Sequence, residues 1–156
     1  MNPPEDELVV ACELHSVQGL RAALDAGLDA RQPVRGKLPV EWLLEMYTRS
    51  DRFPECLALL LDRGAELPDV QLRAVLLDDA AALAAAGRVD TSLLQHRTTL
   101  VTAFTPLEGA TLLHVAAEFG HHRSARVLLD LGADVDARAG IDAHGLGGHT
   151  PLFHTV

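Results

Sequence analysis

Eight histidines, two cysteines and a few carboxylate pairs are the groups in this chain that could do chemistry. Six of the histidines, His114, His121, His122, His144, His149 and His154, fall within the last 43 residues. Such a cluster suits a zinc site or a proton-sensitive switch, because imidazole both ligates metals and titrates near neutrality. No cysteine accompanies them and no regular ligand spacing recurs, which argues against a specific metal site. Cys12 and Cys56 have no metal-ligand spacing and sit among apolar neighbours, so they read as small buried fillers in a reducing compartment, with a disulfide the less favoured alternative. Asp78 and Asp79, read as adjacent on a helix, would point to different sides, a poor geometry for acid and base catalysis. No Gly-x-Ser-x-Gly elbow, phosphate-binding glycine loop or His-Glu-x-x-His helix occurs. Gly145-Leu146-Gly147-Gly148 follows no strand and leads into Thr150-Pro151, so it reads as a flexible hairpin tip. An enzyme would need a site built wholly from loops, and none is expected.

The elements that must position these groups are helical. With 156 residues, 48% of them hydrophobic but only 4% aromatic, the chain suffices for one domain with a core of Leu, Val and Ala. These side chains, apart from Val, lose little rotamer freedom in a helix, and β-branched residues are scarce. The formal net charge of −9 repels phosphate backbones, so no nucleic-acid partner is expected. Met1-Asn2-Pro3-Pro4-Glu5-Asp6-Glu7 lacks the basic and apolar segments of a secretion signal. No apolar run approaches the roughly 20 residues that span a bilayer. The expectation is a cytoplasmic protein with no membrane contact.

One segment stands out as a repeat: Thr111-Leu112-Leu113-His114-Val115-Ala116-Ala117-Glu118-Phe119-Gly120-His121, followed by Val127-Leu128-Leu129-Asp130-Leu131-Gly132-Ala133-Asp134-Val135-Asp136-Ala137. It closely resembles the ankyrin repeat, whose pattern is a Thr-Pro-Leu-His turn, a short helix with paired alanines, a Gly-His break, a second helix ending in aliphatics, and a Gly-Ala-Asp cap. Only the proline is missing, replaced by Leu112. The resemblance implies that Thr111 and His114 bond backbone groups where the first helix starts. Gly120 and Gly132 fall where the chain must leave a helix, a conformation glycine reaches at little steric cost. By the same resemblance His114 and His154 hold the structural turn position and His121 the Gly-His break, leaving His122, His144 and His149 unexplained.

The 21 residues from Thr111 to Gly132, counted back from Gly27, reach Asp6. Residues 6–12 and 22–27 then align with the first and second helices. A second unit starts at Gly36, and its span from Leu38 to Gly64 is 26 residues, so five are inserted within Tyr47 to Pro54, between its helices. Trp42 reads as core. Residues 69–78 and 79–86 read as two helices around an apolar stripe, and 98–109 as an extended loop or hairpin finger. A last unit opens at Gly148-His149-Thr150-Pro151-Leu152-Phe153-His154, after a loop lengthened within 139–147. The resemblance implies an all-α ankyrin-repeat solenoid of paired antiparallel helices with hairpin-like loops, one domain over 1–156. Its repeats would be 6–35, 36–67, 68–110 (divergent), 111–147 and 148–156 (incomplete), the last leaving the apolar face of the fourth uncovered. The Ala-rich, Lys-poor composition fits a GC-rich bacterial source.

What the resemblance implies about function is a non-catalytic protein-interaction module without cofactor, binding through a concave groove and its loop tips. Glu13-Leu14, Glu45-Met46 and Glu118-Phe119 follow the small-residue pairs, each an acid before a large apolar residue. Together they could line the groove for a basic amphipathic helix or peptide. The alternative is that Glu serves here as a helix former while Leu14, Met46 and Phe119 pack against the next repeat. Arg35, Lys37, Arg138, Asp142 and His149 belong to the hairpin tips that would supply polar contacts. Two other readings stay open: a metal- or pH-responsive protein using the C-terminal histidines, and a structural segment of a longer repeat array.

Overall fold

Prolines stand at the first or second position of three of the α-helices, where the missing N–H would have had no helical acceptor. The computed structural model describes residues 2–104 and 106–155. Thr105 in the expected finger, Val156 in the last expected unit and Met1 in the acidic N-terminus lie outside them. The described chain divides into two compact units, residues 2–68 with 102–104, and residues 69–101 with 106–155.

In the first unit, α1 (Pro3–Leu14) and α2 (Val17–Asp25) pair across a two-residue turn, and so do α3 (Pro39–Glu45) and α4 (Phe53–Asp62) across a longer one. Stacking of α1 on α3 and of α2 on α4 joins the pairs. Leu8, Leu20, Leu43, Leu57, Leu60 and Phe53 are sealed between them. Each such side chain contributes roughly 1.5–3 kcal/mol of transfer free energy, so the leucine-rich face of each helix accounts for the packing. Ser16 starts α2 by accepting from Gly19 N–H. Cys12 and Cys56 are free thiols buried in this core. The loop between α3 and α4 is residues 46–52, so Phe53 and Pro54, the end of the stretch expected to hold the insertion, instead open α4.

In the second unit, α5 (Val70–Leu76) and α6 (Ala80–Val89) stack on α7 (Leu112–Glu118) and α8 (His122–Asp130), α5 on α7 and α6 on α8. A short 3-10 helix, Thr91–Gln95, follows α6, and another, Pro151–Thr155, packs on α7. Strands β1 (Thr98–Leu100) and β2 (Leu107–Ala110) pair antiparallel, with Thr98 opposite Ala110 and Leu100 opposite Leu107.

The fold is therefore helix-rich, and the finger anticipated at 98–109 adds a small sheet to what was expected to be all-α. The β-branched side chains of Thr98 and Thr99 favour extended backbone there. Asp78 and Asp79 do not share a helix. Asp78 is the left-handed corner between α5 and α6, with φ of 50°, and Asp79 is the N-cap of α6. Both carboxylates satisfy backbone donors: Asp79 that of Ala82, and Asp78 that of Ser124 together with the Ser124 hydroxyl. Trp42 is half-buried, and its indole N–H donates to the Val34 carbonyl at 2.7 Å.

Candidate partner-binding surface

The hairpin between α2 and α3 is closed by reciprocal backbone bonds between Val34 and Lys37, which leaves Arg35 at its tip with φ of 51°. Both cationic residues of this tip are engaged within their own unit. The Arg35 guanidinium meets the Asp6 carboxylate of α1. The Lys37 ammonium meets Glu45 and lies 5.1 Å from the Trp42 ring centroid, a cation–π distance. Glu45 is thus neutralised by a neighbour, and Met46 beside it is half-buried. Glu13 and Leu14, at the end of α1, stand in solvent, Leu14 with 56% of its surface exposed.

The corresponding pair in the second unit is placed differently. Phe119 is only 3% exposed, and Glu118 is almost wholly buried, accepting from His154 Nδ1 at 2.9 Å. The Pro151–Thr155 helix packs on α7, and its His154 covers the Glu118 carboxylate, while the Phe119 ring lies 5.9 Å from that of His121. Phe119 therefore takes the packing role that was the alternative reading, and of the three carboxylates only Glu13 is exposed. Arg138 turns inward along its loop to donate to the Gly148 carbonyl at 3.0 Å. Asp142 accepts from the backbone of His144 and Leu146, which shapes its own loop. His149 stacks on Phe153, with ring centroids 4.0 Å apart.

The helix starts and breaks of α7 and α8 are built from side chains. Thr111 and His114 cap α7 reciprocally, with Thr111 N–H donating to His114 Nδ1 at 3.2 Å and His114 N–H reaching the Thr111 hydroxyl. His114 Nε2 donates to the His149 carbonyl at 2.7 Å, which assigns the proton to Nε2. Burial holds the His114 pKa below its ordinary value, since the charged ring would be poorly solvated there. After α7 the chain reverses at Gly120, with φ of 67°, and His121 Nε2 donates to the Leu76 carbonyl of α5. After α8 it reverses at Gly132, with φ of 96°. Comparison with known families matches residues 108–139 to the ankyrin repeat. The chain carries an ankyrin repeat. No curated protein matches it.

Within this ankyrin repeat the capping residues are those the resemblance implied. His154 is not a turn residue of that kind. Phe153 is the residue three places after Thr150, as His114 is after Thr111, and His154 instead bonds Glu118. His114, His149 and His154 lie together, with the His154 ring centroid 5.7 Å from that of His114 and 6.2 Å from that of His149, yet among the described residues no group of three His, Cys, Asp or Glu side chains could hold a metal ion. No helix is long and apolar enough to cross a membrane among those residues.

Sequence reasoning passed over two exposed aromatics, Tyr47 (68% exposed) and Phe104 (60%). They make an edge-to-face pair at 5.6 Å in the first unit, and the Arg49 guanidinium lies 5.5 Å from the Phe104 centroid. The chain has six aromatic residues in all, so two in segments that break the repeat pattern were a readable signal.

Proposed function

We propose that this protein is a non-catalytic interaction module that binds a protein or peptide through the first unit, on the surface carrying Glu13, Leu14, Met46, Tyr47 and Phe104. Ankyrin repeats generally mediate protein–protein interaction, and the matched segment at 108–139 is the basis for applying that here. The observation that carries the reading is the solvent exposure of Leu14, Tyr47 and Phe104, large apolar side chains with an arginine alongside. Aromatic and arginine side chains dominate the energetic centres of interfaces. The ligand expected from these groups is an amphipathic helix or extended peptide with an apolar anchor and a basic flank directed at Glu13. The −9 charge supports a partner other than nucleic acid, and the buried free thiols support a cytoplasmic setting.

Affinity capture from the source lysate, with wild type and a Leu14→Arg, Tyr47→Arg double variant whose circular dichroism matches wild type, tests the proposal. A partner retained by wild type and reduced at least about tenfold with the variant is the expected result, since two lost hot-spot contacts exceed 1.4 kcal/mol. Equal retention would remove this surface from the function.

A further inference from the structure

Three histidines meet where the Pro151–Thr155 helix packs on α7. His114 is fully buried in α7, and the His154 ring lies 5.7 Å from its own, edge to face. His149 comes just before the short helix, its ring 6.2 Å from that of His154. Few contacts hold this strap of residues 149–155. Of the five helical residues Pro151 and His154 are buried, while Leu152 is 74% exposed. Its polar attachments to α7 are the bond from His114 Nε2 to the His149 carbonyl and the bond between His154 Nδ1 and Glu118. A 3-10 segment this short has little stability of its own, so those attachments decide whether it stays down.

His114 fits its place as a neutral ring. Nδ1 accepts from the Thr111 N–H at 3.2 Å and pairs with the Thr111 hydroxyl at 2.7 Å, while Nε2 carries the proton donated to His149. A second proton would have to enter at Nδ1, where it would face the Thr111 N–H and break the cap. The resulting charge would be sealed from water beside His154, with the Arg97 guanidinium and His149 adding to the repulsion. Glu118, the carboxylate of this contact, is already paired with His154. Burial first, and then these cationic groups, hold His114 below its ordinary value of 6.5 against the raising effect of its bond to His149. Lifting the strap admits water to the ring and returns it toward that value. The lifted form therefore binds more protons, and acidification favours it.

We propose that the 149–155 strap is a proton-sensitive latch, in which protonation of His114 releases the Pro151–Thr155 helix from α7. Release uncovers Glu118. It also removes Pro151, Leu152 and Thr155 from the apolar groove of about 420 Å³ that they line together with Leu113, Ala116 and Ala117. The latch lies within the second unit and does not depend on the partner surface of the first.

Hydrogen exchange on the full chain at pH 7.5, 6.5 and 5.5, corrected for the intrinsic rate at each pH, tests the proposal alongside an NMR titration of the His114 ring. The amides to read are Phe153, which donates to the Thr150 carbonyl, and Ala139, which shares the His149 carbonyl with His114. The opening constant at both should rise at least about threefold from pH 7.5 to pH 5.5, following the His114 titration, while the amides of α8 keep their protection. His114→Gln retains an acceptor for the Thr111 N–H but takes up no proton, so its opening should be independent of pH. A wild-type opening constant that is flat across this range overturns the proposal. So does one whose midpoint departs from the His114 titration, or a pH dependence that His114→Gln retains in full. Parallel loss of protection in α8 also overturns it, since the unit would then be unfolding rather than lifting a strap. The wild-type measurements decide the matter whether or not the variant folds.

Discussion

His15 ends α1 in the left-handed conformation, with φ of 49°, and its ring is fully buried. Nδ1 pairs with the Ser50 hydroxyl at 2.7 Å, Nε2 has no partner, and the ring meets Phe53 edge to face. Burial, reinforced by the guanidinium groups of Arg49 and Arg52, lowers its pKa from 6.5 to about 4. The folded protein thus keeps this ring neutral over a range in which the unfolded chain takes up a proton. Stability falls as pH drops below about 6.5 and this contribution levels off below about 4, a total of roughly 3 kcal/mol at one pKa unit per 1.36 kcal/mol. Urea denaturation of wild type and His15→Asn from pH 7.5 to pH 4 should show the steeper loss in wild type. Asparagine suits the replacement because it tolerates the left-handed conformation. Parallel pH curves for the two proteins would contradict the assignment.

At the scale of elements, the pairing of α1 with α2 depends on close approach. A Cβ placed on Gly19 would lie 2.9 Å from the Ala11 Cβ and 3.2 Å from the Ser16 hydroxyl. Neither Cβ has a rotamer that could move it aside, so Gly19→Ala forces the helices apart. Overpacking of this kind costs about 1–3 kcal/mol, against up to about 1 kcal/mol gained in helix propensity. A net loss of about 1 kcal/mol is expected in the urea midpoint, with Gln18→Ala at the neighbouring exposed position near neutral. A Gly19→Ala protein as stable as wild type would show that the α1–α2 spacing is adjustable. The same small-residue logic was readable in the alanines of α7, but Gly19 was not, because only the crossing of two helices brings it to Ala11.

For the whole molecule, the −9 charge acts as a uniform term. Self-repulsion among the unpaired acids destabilises the folded state and is screened once the Debye length falls below their separation. The melting temperature should rise by roughly 2–4 °C between 20 mM and 500 mM sodium chloride. A fall with added salt would mean that ion pairs such as Arg63 to Asp25 and Arg35 to Asp6 outweigh the repulsion.

The sequence by itself determined the local elements. The Thr111–His114 cap, the glycine turns at 120 and 132, and the helix pairs in 2–68 and 69–89 follow from capping, left-handed turns, apolar periodicity and the repeat pattern, which act within a few residues. Exposure was decided only by the tertiary structure. Glu13-Leu14 and Glu118-Phe119 follow the same pattern, yet one pair is in solvent and the other is buried, with Glu118 covered by His154, 36 residues further along the chain. Likewise Arg138 and Asp142 read as free loop contacts until the fold turned them onto loop backbone groups, while Tyr47 and Phe104 became neighbours across more than fifty residues. Local backbone preference is carried by adjacent residues, whereas the loss of solvent around a side chain depends on whichever distant segment packs over it.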